Sequence, residues 1–118
     1  MAQQRPEFTV REEVTDAALV VTVIGEVDLA TAPQLRDVLE HAITTAPAVL
    51  VLDMSEVSYF DSTGLDVLIH ISTALDTGRL RLVASAAVIR PLTLTGIDSL
   101  IPPHPDLASA LEHNADNR

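Results

Sequence analysis

The residues best placed to do chemistry are a serine and a threonine side by side, in the segment Phe60-Asp61-Ser62-Thr63-Gly64-Leu65. Asp, Ser and Thr are the residue types that satisfy unpaired N–H groups where a helix begins. Gly64 permits a close backbone approach. One reading is a well-capped helix start with no further role. The other makes Ser62 a phosphate acceptor. A hydroxyl at a helix N-terminus lies exposed at the sheet edge, where a phosphate meets unpaired N–H groups and the positive end of the helix dipole. Phosphate there adds about −1.5 to −2 charges to a surface that already holds Asp61 and Asp66, and repels a partner packed on it.

Other chemistries find less support in the spacing. A nucleophile elbow has Gly two residues before its Ser, where this chain has Phe60. His70 stands two helical turns beyond Ser62, an offset of about 12 Å, too far for a general base. His41, His104 and His113 fall on other elements. Asp53, Glu56 and Asp61 lack calcium-loop spacing. His70 has the i, i+4 spacing of a solvated pair with Asp66. The chain has no cysteine, which excludes thiol catalysis, disulfides and cysteine-zinc sites. It has no glycine-rich phosphate loop. The expectation is a protein that is not an enzyme, with no metal and no cofactor.

These residues must be positioned by a single domain, because the chain has only 118 residues. Hydrophobic residues make up 47%, enough for an aliphatic core. Seventeen acidic against seven basic residues give a formal charge of −10, which opposes binding to nucleic acid or to anionic membrane. One Tyr, two Phe and no Trp leave little for base stacking. The first seven residues are polar, unlike a signal peptide. The longest apolar stretch, residues 17–24, is interrupted by Thr22 and is too short to span a bilayer. A cytoplasmic location is expected.

Along the chain, Phe8-Thr9-Val10 and Leu19-Val20-Val21-Thr22-Val23-Ile24 read as a hairpin turning near Asp16, the second strand ending at Gly25. Thr31 as N-cap, Pro33 in the first turn and apolar Leu35, Val38, Leu39 and Ala42 predict a helix over residues 32–45. Val49-Leu50-Val51-Leu52 reads as a strand buried on both faces. A second helix runs from about 62 to 75, with Leu65, Leu68, Ile69 and Leu75 as its core side, and Gly78 stops it. Leu80-Arg81-Leu82-Val83 is the next strand. Residues 88–95 read as a helix closed by Gly96, with Pro91 awkward inside it. Pro102-Pro103 breaks the chain, 106–112 is a short helix, and 113–118 is a flexible tail. The alternation predicts one α/β domain over residues 1–112, a mixed sheet of four to five strands with about four helices.

With these elements in order, the chain resembles the STAS-domain anti-sigma factor antagonists of bacteria. The resemblance rests on Gly25-Glu26-Val27-Asp28, Leu52-Asp53-Met54-Ser55, Phe60-Asp61-Ser62-Thr63-Gly64-Leu65, Gly78 and Gly96-Ile97, in order over roughly residues 8–112. It departs at Ala87, where such proteins often have Pro, and at the single Gly78. The resemblance implies binding, when unphosphorylated, to an anti-sigma factor that is also a serine kinase, which releases a sigma factor. Phosphorylation at the position of Ser62 ends that binding, and a serine phosphatase resets the switch. Glu26, Asp28, Asp61, Ser62, Thr63, Gly64, Asp66 and Val67 are assigned to the partner face. Glu26 and Asp28 also fit plain loop acids, and Thr63, Val67 and Ile71, at i, i+4, i+8, also fit a wide core face. The competing function is an accessory STAS subunit of a transport or signalling assembly whose serine is never phosphorylated.

Overall fold

Two long strands carry the molecule, and the candidate site hangs from their ends. The computed structural model describes residues 7–16, 18–75 and 79–112. In chain order the elements are β1 (Thr9–Val14), β2 (Leu19–Val27), α1 (Ala32–Thr44), β3 (Leu50–Phe60), α2 (Ser62–Ala74), β4 (Leu80–Ala84), α3 (Ala86–Thr95), a 3-10 turn (Ile97–Ser99), β5 (Pro103–His104) and α4 (Leu107–Glu112). They form the expected α/β domain. The five strands lie in sequence order in one sheet, with β1 antiparallel to β2 and the other pairs parallel.

Side-chain alternation gives the sheet two unequal faces. Val21 and Val23 of β2, Leu50, Leu52 and Met54 of β3 and Leu82 of β4 join the main core. Leu35 and Leu39 of α1, Leu68 and Ile71 of α2, and Val88 and Leu92 of α3 fill it from above, all completely buried. Each such side chain contributes roughly 1.5–3 kcal/mol relative to exposure. The other face is a small cluster of Ala18, Val20, Val51 and Val83, covered by Ala110, Leu107 and Leu111 of α4. Burial on both sides explains the unbroken apolar run at the start of β3.

The structure corrects several boundaries. β2 does not stop at Gly25 but continues to Val27. Gly25 sits at a register shift with φ +113°, and a Cβ there would lie 3.1 Å from the Phe8 Cα, so glycine lets β1 and β2 close together. β3 runs eight residues beyond Leu52. α3 begins at Ala86, not Val88, because Ser85 caps it. It continues through Pro91, which supplies no N–H to the carbonyl four residues before it. Pro103 enters a two-residue edge strand, a position where its missing donor is tolerated. Ile69 is 37% exposed and is not a core residue. The helix stop assigned to Gly78 and the tail assigned to 113–118 lie outside the described residues.

Candidate functional site

The site is built where β2 and β3 outrun the rest of the sheet. β4 pairs with β3 only over Leu50 to Met54, whereas β2 stays paired with β3 to Val27 and Phe60, which face each other across the ladder. The two strands therefore project as a ribbon, and the segments leaving it, 28–31 and 61–65, start side by side. Ser85 secures the ribbon's other edge. Its hydroxyl donates to the Val57 carbonyl at 2.6 Å, and its N–H donates to the Met54 carbonyl at 3.2 Å. Ser before an apolar helical run was the sequence signal for it.

The first segment is ordered by Asp28 and Thr31. Asp28 Oδ1 accepts the N–H groups of Ala30 and Thr31 at 3.0 and 3.2 Å. The Asp28 N–H donates to Thr31 Oγ1 at 3.0 Å, and the Thr31 hydroxyl donates to the Glu26 carbonyl at 2.7 Å. Thr31 occupies the N-cap position of α1, yet its side chain makes no capping bond. Asp28 satisfies the helix start instead. Glu26 lies on β2 opposite Tyr59, not in a hairpin loop.

The second segment places the two hydroxyls differently. Asp61 is the N-cap of α2, and its Oδ1 accepts the Thr63 N–H at 3.0 Å. The Thr63 hydroxyl donates a short hydrogen bond to the same oxygen. That hydroxyl, first of all, holds the Asp61 carboxyl below its ordinary value, against partial burial that pushes it up; the Thr63 and Gly64 N–H groups and the Tyr59 hydroxyl add to the lowering. The Gly64 and Leu65 N–H groups donate to the Asp61 carbonyl at 3.0 and 3.1 Å. Ser62 begins α2 and is exposed, and its hydroxyl has no hydrogen-bond partner among the described residues. The expectation of unpaired N–H groups waiting for a phosphate is thus overturned for Thr63, Gly64 and Leu65, because Asp61 has already taken them.

Of the assigned face, Glu26, Asp28, Asp61, Ser62 and Thr63 gather at the ribbon's end, and Asp66 is exposed one turn into α2. Gly64 and Val67 do not belong to that surface. Gly64 is buried because it lies under the Phe60 ring, where a Cβ would come within 2.5 Å of a ring carbon. Val67 is 4% exposed and joins the main core, and Ile71 is fully buried. The helix instead shows Ser62, Asp66, Ile69 and Thr73 along one side, a spacing of four, three and four residues. Two exposed apolar side chains that sequence reasoning missed, Leu29 and Tyr59, flank the acids at 77% and 47% exposure. An exposed Leu next to Asp28 carries no periodic signal in the sequence.

His70 and His104 are engaged elsewhere, and His113 lies outside the described residues. His70 pairs not with Asp66 but across to α1, where its Nε2 lies 2.8 Å from Glu40 Oε2. The same oxygen accepts Arg36 Nε at 3.0 Å. Hydrogen bonds from Arg36 first and His70 second hold the Glu40 carboxyl below its ordinary value. His104 Nδ1 stands 3.2 Å from the Ser109 hydroxyl. Among the described residues no helix is long and apolar enough to cross a membrane.

Comparison with known proteins identifies the family and the fold. Residues 6–110 match the model of the STAS domain. The chain is 36% identical over 84 residues to an anti-sigma-B factor antagonist of Listeria monocytogenes, covering 69% of this chain and 74% of the relative. It is 33% identical over 81 residues to an anti-sigma-F factor antagonist of Mycobacterium tuberculosis, covering 67% and 66%. The crystal structure of an anti-sigma factor antagonist from Mycobacterium paratuberculosis superposes with a TM-score of 0.85 at 35% identity, covering 90% of this chain and 92% of that one. The chain belongs to the STAS-domain family, among relatives that are named anti-sigma factor antagonists.

Proposed function

We propose that this chain is a cytoplasmic anti-sigma factor antagonist switched by phosphorylation of Ser62. Unphosphorylated, it binds an anti-sigma factor with serine kinase activity through Glu26, Asp28, Asp61, Ser62, Thr63 and Asp66, and that binding releases a sigma factor. The kinase then transfers phosphate to Ser62 and the complex separates. A serine phosphatase restores the hydroxyl. The chain itself turns over no substrate and needs neither nucleic acid nor membrane.

The observation that carries this reading is the exposed Ser62 hydroxyl at the first position of α2, beside a capping carboxylate already satisfied by its neighbour. A phosphate added there meets Asp61 and Asp66 and opposes a docked partner by charge and bulk. The names of the relatives support the same class. The test incubates the protein with candidate anti-sigma kinases and ATP and reads intact mass. One added phosphate, mapped to Ser62, is expected. Ser62→Ala should take none and should stay bound to the kinase. A protein that binds no anti-sigma factor and gains no mass in any combination would return the accessory-subunit reading to first place.

A further inference from the structure

Two hydroxyls lie next to each other at the start of α2, and the structure treats them unequally. Ser62 is exposed and its hydroxyl lacks a hydrogen-bond partner among the described residues, whereas Thr63 is half-buried and its hydroxyl donates to Asp61. Asp61 is fixed in turn. Its carboxylate accepts the Thr63 N–H as well, and its carbonyl accepts the N–H groups of Gly64 and Leu65. Gly64 cannot slide away, because the buried Phe60 ring lies against it.

We infer that Asp61 selects which of the two hydroxyls is phosphorylated, by engaging the Thr63 hydroxyl and leaving the Ser62 hydroxyl to the kinase. Asp61 is a positioning residue here, acting through Thr63. This inference rests on the proposed phosphorylation of Ser62 and deepens it. In the reaction, the acceptor oxygen forms a bond to the γ-phosphorus of the nucleoside triphosphate held by the kinase. The bond from that phosphorus to the nucleoside diphosphate breaks, and the hydroxyl proton passes to a base of the kinase or to water. For Ser62 nothing in the described structure has to be undone. For Thr63 a hydrogen bond to an ionised carboxylate must first break and the side chain must turn out of the helix start. Breaking a charge-assisted bond of this kind suppresses the population able to react by roughly tenfold or more. The Thr63 hydrogen bond lowers the proton affinity of Asp61 and so leaves it a weak base for activating Thr63 in place.

The experiment reads the division of phosphate between Ser62 and Thr63 within singly phosphorylated product, at kinase in excess over the antagonist, by peptide mapping. In wild-type protein, below about 1% of the phosphate is expected on Thr63. In Asp61→Ala the share on Thr63 should rise roughly tenfold or more. In Asp61→Asn, whose amide oxygen still accepts both Thr63 donors but without the charge, the share should fall between those of wild type and Asp61→Ala. Thermal unfolding of each variant establishes that the compared proteins are folded. Both hydroxyls compete on the same chain, so a uniform loss of docking lowers the rate and leaves the ratio unchanged. An unchanged ratio in folded Asp61→Ala overturns the inference, as does an Asp61→Asn ratio equal to that of Asp61→Ala. Asp61→Ala phosphorylated at neither residue overturns it too, because Asp61 would then be required for docking or transfer and not for choosing between the hydroxyls. Failure of the wild type to accept phosphate on Ser62 is a separate result and counts against the underlying function.

Discussion

Gly64 does its work by lacking a side chain. The first turn of α2 closes onto the Phe60 ring, and Phe60 is only 6% exposed, so the ring has no room to retreat. Gly64→Ala should therefore destabilise the domain by about 1–3 kcal/mol, the usual range for overpacking, read from urea unfolding. A change below about 0.5 kcal/mol would mean that the helix start yields easily. The sequence announced this close approach but not what approaches. The same limit explains Val67. At about 100° per residue it is turned roughly 140° from Ser62, whereas Asp66, Ile69 and Thr73 return close to the Ser62 side. A helical stripe can be read without a partner, but its direction cannot. Ser62 and Asp61 were legible because cap chemistry is local, while the engagement of Thr63 by Asp61 depends on rotamers that no spacing encodes.

The elements were legible where their period was regular. α1 and the first half of β3 follow the expected patterns. The second half of β3 does not, because its buried residues Met54, Val57 and Phe60 are three apart, not two, where the register with β2 shifts. Those irregularities hid the ribbon that brings Asp28 and Ser62 together. The exit from α1 carries a different irregularity. Ala46 has φ +52°, and its N–H donates to the Ile43 carbonyl at 2.9 Å. This is a left-handed helix exit in a residue with a Cβ, where glycine is the usual occupant. Ala46→Gly should stabilise the protein by about 1 kcal/mol. Calorimetry should then show a melting temperature several degrees higher, and a lower one would show that the turn carries no strain.

For the whole molecule, the proposed switch needs no change of fold. Ser62 stands at the first position of α2, where a carboxylate is compatible with the helix dipole even though Asp61 occupies the nearby N–H groups. Ser62→Asp should alter stability by less than about 1 kcal/mol in urea melts. In a partner titration the same variant should bind more than about a hundredfold more weakly, because an unpaired charge is desolvated beside Asp61. Normal binding by the variant, or a loss explained by unfolding, would refute exclusion by charge. The order of the strands came from the structure, while a single mixed sheet with helices packed on it followed from the alternation of strands and helices. The Arg36–Glu40–His70 bridge between α1 and α2 did not, because Glu40 and His70 are thirty residues apart in sequence.

One consequence of strand direction bears on how such titrations are built. β1 runs antiparallel to β2, with Thr9 opposite Ile24, and Phe8 packs on Gly25, so the described chain enters the fold at the end that carries Glu26 and Asp28. α4 leaves it on the opposite face, over Val51 and Val83, on the half of the sheet away from Phe60. An affinity tag, a fluorophore or a sensor-chip tether joined ahead of Glu7 would crowd the surface whose occupancy is being measured. The same attachment made beyond Glu112 would leave that surface facing the solution.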